Sequence, residues 1–215
     1  MNLKKCEALD CVNLSIFRFW KVSMFRDLVT IACMFFLYCQ IGWVWECIYE
    51  SILNKKLLNR GFLHGPYIPI YGIGGMIILL GFQRFQTPLW STKTIWIYVI
   101  GALGATLLEY VTSVFLEKKL NARWWDYSNY PLNFQGRICL IATLFWGVVA
   151  VVAIDILNPF LAEAATHIPL IFMILYAGIM AILMIIDAII TIHSVRHKKF
   201  ASSRNNIVFV DKKED

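Results

Sequence analysis

Five long apolar stretches constrain this chain more than any other feature of its sequence. They lie at residues 27–53, 66–83, 95–116, 137–157 and 169–193. A helix needs roughly 20 mostly apolar residues to cross the hydrocarbon core of a bilayer, and there it satisfies its own backbone hydrogen bonds. We therefore predict an all-α fold, a polytopic membrane helix bundle of five transmembrane helices. The second helix should begin irregularly, because two prolines and three glycines crowd residues 66–75.

The composition agrees with a membrane location and excludes several classes of soluble protein. Hydrophobic residues make up 59% of the 215 residues and charged residues only 16%, whereas soluble domains are about 45–50% apolar and about 25% charged. The surplus apolar surface must therefore face lipid. No polar stretch is long enough for a soluble catalytic domain, and no GxxxxGK[ST] phosphate loop is present.

The basic residues indicate an orientation in the membrane. The net charge is +6, but the basic residues flank the apolar stretches, which is how membrane topology is encoded, so we expect no nucleic-acid partner. Of the 20 basic residues, 13 fall in the first loop, the third loop and the C-terminal tail. The positive-inside rule then predicts a multi-pass protein of the cell membrane with its N-terminus outside and its C-terminus in the cytoplasm.

The chain divides into three predicted regions. Residues 1–26 form an N-terminal tail whose segment 12–26 is compatible with a basic amphipathic helix lying on the membrane surface, although Met24 is an alternative start. Residues 27–195 form the five-span domain. Residues 196–215 mix both charges with small polar residues, which predicts a disordered cytoplasmic tail.

An internal similarity indicates a parallel repeat of two helical hairpins. A shift of 63 residues pairs Glu46 with Glu109, Lys55–Leu57 with Lys118–Leu120, and Arg60 with Arg123. In each copy a helix that carries an acid ends in Lys-Lys-Leu and is followed by an arginine. Repeats of this kind occur in transporters, and chance similarity is the alternative.

Three acids have the same spacing from the basic end of a predicted helix. Glu46, Glu109 and Asp187 each precede a basic residue by nine positions, which places the three carboxylates at one depth in the bundle. Ionisable side chains at such depth usually face the interior, paired or hydrated. They could form structural ion pairs with Arg60, Arg123 or Arg137, bind a polar or cationic ligand or carry protons, or lie hydrated near the interface.

The candidate polar site combines these acids with polar side chains of the first and third loops. Arginines there can grip a carboxylate or a phosphate, and polar groups among aromatics suit a lipid headgroup or small solute. The aromatic belt of a membrane interface and a hydrogen-bonding role for His64 are the plainer interpretations. The candidates are Glu46, Tyr49, Glu50, Asn59, Arg60, His64, Tyr71, Glu109, Arg123, Asp126, Asn133, Arg137 and Asp187.

An ordered set of motifs resembles a known family. The motifs are Gly42–Glu46, Asn59–Gly72, Leu108–Tyr110, Arg123–Ser128, Asn133–Leu140 and Trp146–Gly147. Together they resemble the bacterial ABC-transporter type IV or CmpB-like permease family, which is distantly similar to the vertebrate transmembrane protein 229 group. The resemblance spans about residues 30–195 and implies a permease-like membrane protein, without implying catalytic residues.

Three function classes follow from these observations. The first is a transport-related permease component with an intramembrane polar site. It would need a separate ATPase subunit and membrane lipids as partners, and its small size suggests a homo-oligomer. The second is a non-transporting interaction or regulatory protein whose buried acids are structural. The third, a lipid-acting enzyme, is least favoured because no nucleophile or metal-ligand constellation is evident, so we expect neither cofactor nor metal.

Overall fold

The computed structural model describes residues 3–59, 61–82, 92–120, 122–196 and 208–209. These ranges contain six α-helices, with a π-helical turn, Ala153–Leu157, between the fourth and the fifth. The helices are α1 (Leu3–Asn54), α2 (Pro69–Phe82), α3 (Thr92–Leu120), α4 (Leu140–Val152), α5 (Asn158–His167) and α6 (Leu170–Arg196).

The prediction of an all-α polytopic membrane bundle is confirmed. Apolar helical segments occupy all five predicted stretches, and four of them are long enough to cross a membrane: Met24–Asn54, Thr94–Lys119, Leu140–His167 and Leu170–Val195. Helix α1 is continuous from Leu3, so the segment predicted as an interfacial helix is part of the same helix as the first span.

Helix α2 is the short member of the bundle. It has 14 residues, which rise about 21 Å, less than the roughly 30 Å of a bilayer core. The helix begins at Pro69, where the missing backbone N–H costs no helical hydrogen bond. The irregular backbone expected at its start lies at 61–68, where Leu63 and Tyr67 are buried in the bundle. The packing of Leu63 and Tyr67 encloses this irregular backbone in protein.

The fourth span continues through its π-helical turn without interruption. Pro159 follows this turn as one of the first residues of α5. A proline has no N–H to donate to the carbonyl four residues earlier, here that of Asp155, and its ring crowds that carbonyl. Widening one turn relieves the clash, so α4, the turn and α5 remain one apolar segment from 140 to 167.

Two groups of closely packed helices build the bundle, α3 with α4 and α1 with α2 and α6. Helix α3 packs along α4, where Gly101 lies so near Ala150 that an added Cβ would overlap it. Helix α1 packs against α2 and α6. One core cluster, Phe36, Cys39, Leu63, Tyr67 and Met180, joins α1, the first loop and α6. The gap between these two groups of helices positions the cavity described below.

The first and third loops meet at one end of the bundle. The ring of Phe62 packs edge-on against that of Trp124, with centroids 4.3 Å apart. In the third loop a short hairpin pairs β2 (Asn133–Phe134) with β3 (Ile138–Cys139). Strand β1 (Ala122–Arg123) pairs with β4 (Val208–Phe209), so this part of the tail, predicted to be disordered, lies on the third loop.

The N-terminal end of the first span lies at the opposite end of the bundle. The Arg26 guanidinium donates to the carbonyls of Ala165 and Ile168, at 2.9 and 3.1 Å. These carbonyls belong to the connection between α5 and α6. The loops among the described residues therefore separate into two groups, one at each end of the bundle.

Candidate functional site

A cavity of about 770 Å³ lies between α1, α2, α3, α4 and the third loop. Among the described residues that line it, four carry a carboxylate: Glu46, Glu50, Glu109 and Asp126. We call this space the acidic cavity. It brings together the two glutamates that the repeat pairs, with Tyr49 and Tyr71 of the candidate set beside them.

Aromatic rings form much of the wall of the acidic cavity. The Trp45 ring of α1 stacks on Phe145 of α4, with centroids 5.5 Å apart and planes 19° apart. The Tyr71 ring of α2 lies at the same centroid distance from Trp146, inclined by 60°. These contacts connect α1 and α2 to α4 across the cavity. The other aromatic lining residues are Tyr49, Phe62, Phe115, Trp124, Trp125, Tyr127 and Tyr130.

The hydroxyl of Tyr71, whose ring packs over Gly42, positions the Glu46 carboxylate. The Tyr71 hydroxyl donates to Glu46 Oε1 at 2.7 Å. The Tyr71 ring occupies the space above Gly42, one turn earlier on α1, where a Cβ would overlap it. Gly42 therefore admits the ring whose hydroxyl holds the carboxylate.

Both oxygens of Glu109 are occupied by neutral donors. Tyr127 of the third loop donates its hydroxyl to Oε1 at 2.9 Å, and the Trp146 indole N–H donates to Oε2 at 3.3 Å. Only 5% of Glu109 is exposed. Burial and the neighbouring Glu109 carboxylate raise the pKa of the Tyr127 hydroxyl well above its usual range, so this hydroxyl remains a donor across physiological pH.

The arginines of the third loop pair with a glutamate that the sequence analysis did not single out. Arg123 Nε lies 2.8 Å from Glu117 Oε2, and an Arg137 nitrogen lies 2.9 Å from the same oxygen. Of the alternatives left open for Glu109, an ion pair with Arg123 or Arg137 is therefore not formed in the structure. Glu117 lies two turns beyond Glu109 on α3, nearer the loop, so it meets the guanidiniums first.

Asp126 shapes the third loop where it borders the cavity. Its carboxylate accepts from the Ser128 hydroxyl at 2.5 Å and from the Ser128 backbone N–H at 2.9 Å. These two hydrogen bonds and the nearby Arg123 charge lower the pKa of Asp126. Gly136 is packed against both side chains at a φ of +66°, a conformation that favours glycine.

Asp187 belongs to a different cluster from the other two acids of the predicted layer. It accepts from the Gly65 backbone N–H at 2.7 Å and the Tyr67 hydroxyl at 3.1 Å, and it lies 2.9 Å from the His64 ring. Buried Thr191 donates to it as well. Asp187 thus fixes the first loop to α6 and is not among the lining residues of the acidic cavity.

Burial and the Asp187 carboxylate raise the pKa of Tyr67 to about 12. The hydroxyl therefore stays protonated under physiological conditions and can donate to the carboxylate. The arrangement is that of a loop anchor, built from a carboxylate on a helix and several donors on the loop.

The two asparagines of the candidate set shape loops. Asn59 accepts from the Trp43 indole N–H at 2.7 Å and donates to the His64 carbonyl at 3.1 Å. Asn133 donates to the carbonyls of Ser128 and Tyr130, which closes the turn before the hairpin. Arg60, the thirteenth candidate, lies outside the described residues.

The candidate set missed Tyr127 and Trp146, which line the cavity and donate to Glu109, and Glu117, which pairs with the arginines outside the cavity lining. Trp146 was noted only as part of a motif, and Glu117 resembles one more charge beside Lys118 and Lys119. Spacing along α3 could have suggested Glu117, because positions 109 and 117 are about two turns apart on one face. In the described part of the chain, no three His, Cys, Asp or Glu side chains form a group that could hold a metal ion.

The fold defines the class of this protein: an integral membrane protein of the polytopic helical type. Residues 33–192 match the family described as "Putative ABC-transporter type IV", and the chain belongs to this family. Neither the curated proteins nor the solved structures gave a match. The distant similarity to the transmembrane protein 229 group stays a prediction.

Proposed function

We propose that this protein is the membrane component of a transport system and that the acidic cavity is its intramembrane polar site. The observation that carries the proposal is that Glu46 and Glu109, from two different helices, line one cavity of about 770 Å³. Carboxylates within membrane spans are costly and mark ligand or ion pathways by default. The family description, which names an ABC transporter, points to the same class.

The structure offers a contrast between two kinds of buried acid. Glu117 is enclosed by two guanidiniums, as expected of an acid with a packing role. Glu109 is held by a phenol and an indole and faces open space in the cavity. A purely structural role for all the buried acids predicts no cavity beside them, so this difference supports the transport proposal over the regulatory alternative.

We infer an orientation with the N-terminus outside and the first loop, third loop and C-terminal tail in the cytoplasm. The excess of basic residues in these segments supports it. The Phe62–Trp124 contact and the β1–β4 pairing support it further, because they group the three segments at one end of the bundle. The acidic cavity would then lie towards the cytoplasmic end.

A separate ATPase subunit is the proposed energy source, and the cytoplasmic loops are its proposed contact. The chain carries no phosphate loop of its own, so ATP hydrolysis would have to come from another polypeptide. A homo-oligomer is proposed because five helices enclose little space for a pathway. Copurification from native membranes in mild detergent tests both: an ATPase with a stable stoichiometry supports the proposal, and a chain that purifies alone opposes it.

Access of water to the acidic cavity gives a direct test that needs no substrate. Thr112 lines the cavity, whereas Leu107 on the same helix is 64% exposed on the outside of the bundle. A membrane-impermeant, charged thiol reagent should label Thr112→Cys and leave Leu107→Cys, which would face lipid, unlabelled. Both variants are made in a background with Cys47→Ala and Cys139→Ala, because Cys47 is only partly buried and Cys139 itself lines the cavity. A folded Thr112→Cys protein that reacts from neither side would refute a solvent-connected site.

A further inference from the structure

We propose that the acidic cavity admits an acyl chain of a bilayer phospholipid through a lateral opening between α1 and α4. This inference rests on the proposed function and deepens it, because it makes the substrate an amphipathic lipid. Three properties of the cavity carry it: its polar groups are engaged within its own wall, it occupies the depth of one leaflet, and one of its edges is exposed to the bilayer.

The carboxylates of the cavity are already engaged by the protein. All four among the described lining residues accept hydrogen bonds from neighbouring side chains: Glu46 from Tyr71, Glu50 from Asn54, Glu109 from Tyr127 and Trp146, and Asp126 from Ser128. The space that remains is bordered largely by apolar side chains, among them Leu53, Ile73, Val111, Phe115, Leu116 and Ile141. Such a surface suits a hydrocarbon chain, which needs no hydrogen-bond partners.

The cavity has the height of one leaflet of the membrane. Its lining runs from Trp45 to Leu53 on α1 and from Glu109 to Leu116 on α3, and both stretches lie within membrane spans. Eight residues of helix rise about 12 Å, and one leaflet of the hydrocarbon core is about 15 Å thick. A lipid chain in this leaflet would therefore run alongside the whole height of the cavity.

The edge of the cavity between α1 and α4 continues onto the outer surface of the bundle. Tyr49 of α1 and Ile141 of α4 line the cavity and are still 45% and 54% exposed. Ile52, one turn beyond Tyr49, is 70% exposed and lies outside the lining, on a surface that faces lipid in a membrane span. The stack of Trp45 on Phe145 joins the two helices on the side towards the membrane centre. The opening therefore faces a single leaflet.

The polar end of the lipid would remain at the loop end of the cavity. Asp126 and Tyr130 of the third loop border the cavity there, and both are exposed. Tyrosine is typical of the headgroup level of a membrane interface. The headgroup would thus lie at the membrane surface, with the chain beside Thr112 and Ala142 on the facing walls of α3 and α4.

A photoreactive phospholipid tests the inference in a bilayer. The full-length protein is reconstituted in phosphatidylcholine nanodiscs that contain a small fraction of lipid with a diazirine within one acyl chain. After illumination, mass spectrometry locates the adducts. We expect adducts on Thr112 and Ala142, which line the cavity and are partly buried, and on Ile182, which is 60% exposed on the outside of α6. Adducts on Ile182 with none on the cavity residues would overturn the proposal.

Filling the cavity separates a chain inside it from the lipid around the bundle. Ala142→Phe adds a ring at the cavity wall, and Ala162→Phe adds the same ring at an exposed position of α5 outside the lining. The first variant should lose the Thr112 adduct and keep the Ile182 adduct, whereas the second should keep both. A Thr112 adduct that persists in folded Ala142→Phe protein would overturn the proposal. If Ala142→Phe does not fold, Thr112→Phe fills the same space from α3 and should lose the Ala142 adduct.

A second probe, with the diazirine in the headgroup, tests how the lipid lies. It should label Asp126 or Tyr130 and leave Ala142 unlabelled. Headgroup adducts on Ala142 without chain adducts there would show that the polar end enters the cavity and would overturn the proposal.

Thiol labelling of Thr112→Cys distinguishes a failure of this inference from a failure of the transport proposal. A chain that exchanges with the bilayer leaves position 112 open to the charged reagent between visits. Thiol labelling without chain adducts would refute the lipid and leave the transport proposal intact. Chain adducts without thiol labelling from either side would support the lipid site and refute the solvent-connected site.

Discussion

At the scale of single residues, each acid of the bundle is distinguished by its donors. Glu109 has a phenol and an indole, Glu117 has two guanidiniums, and Asp187 has a histidine, a tyrosine and a backbone N–H. Glu109 therefore lines the cavity, Glu117 holds two arginines of the third loop, and Asp187 fixes the first loop to α6. Neutral donors leave the negative charge in place, whereas guanidiniums neutralise it.

Gly42 should be intolerant of a side chain. A Cβ in Gly42→Ala would overlap the Tyr71 ring and displace the hydroxyl that holds Glu46. Forcing extra atoms into a packed site costs about 1–3 kcal/mol, so we expect a lower melting temperature in detergent. Gly104→Ala is the control, because open space surrounds that position on α3. Equal stability of the two variants would contradict the close approach of α1 and α2.

Tyr67 gives a pH-dependent test of the loop anchor. Its raised pKa, about 12, means that its stabilising hydrogen bond is fully present below the ordinary tyrosine value of 10 and is lost as the pH rises through about 12. Tyr67→Phe should destabilise the protein by about 1.5–3 kcal/mol. We expect this deficit to be constant between pH 7 and 9 in denaturant unfolding and to shrink above pH 10. A deficit that shrinks below pH 9 would contradict the assignment.

At the scale of elements, two hairpins, α1 with α2 and α3 with α4, surround the acidic cavity. In each, the first helix contributes a glutamate and the second an aromatic donor, Tyr71 or Trp146. Glu109 has an additional donor, Tyr127, from the third loop. The two hairpins thus contribute different donor sets to one cavity. The parallel repeat that would relate them stays a prediction.

Glu117, Arg123 and Arg137 form an ion-paired cluster, which we call the Glu117 clamp. Substitutions of its members should have non-additive effects on stability. In the wild type the three side chains are 13–22% exposed. Glu117→Gln and Arg137→Gln should each destabilise the protein, while the double variant should lose less than the sum, by about 0.5–3 kcal/mol. Detergent unfolding of the four proteins measures this difference. The stability effects of Glu163→Gln and His167→Gln, an exposed pair on α5, should be additive. Additive stability effects of Glu117→Gln and Arg137→Gln would contradict the pairing of these two side chains.

At the scale of the whole molecule, the loops that the structure describes form two separate groups. Phe62, Trp124 and strand β4 lie at one end, and Arg26 with the α5–α6 connection lies at the other. This grouping requires the short α2 to carry the chain away from the first-loop end and α3 to return it. The acidic cavity lies beside the first of these ends.

Cysteines introduced into the two groups of loops should react with a membrane-impermeant thiol reagent from opposite sides of the membrane. Leu57→Cys and Asn129→Cys lie in the first and third loops, where Leu57 is 98% exposed, and they should react from the cytoplasmic side. Thr166→Cys should react from outside. Labelling of intact cells and inverted vesicles measures each position. Reaction of Leu57→Cys and Asn129→Cys from opposite sides would contradict five crossings, and reversal of all three would contradict the inferred orientation.

The sequence by itself determined the membrane class, the helical fold, the five apolar segments and the family motifs. These properties are local: apolar length sets a span, and the prolines around residue 66 delay the start of α2. The common depth of the acids, which rests on a rise of about 1.5 Å per helical residue, stays a prediction.

Only the tertiary structure decided which groups meet around each acid. Glu109 and Asp187 have equivalent spacing in sequence, yet one lines the cavity and the other anchors the first loop. Arg123 and Arg137 prefer Glu117 because α3 places that carboxylate nearer the loop. Depth along a helix is a one-dimensional property, whereas the partner of a side chain depends on helix rotation and on how a loop folds back. Those quantities arise from packing between segments far apart in the chain.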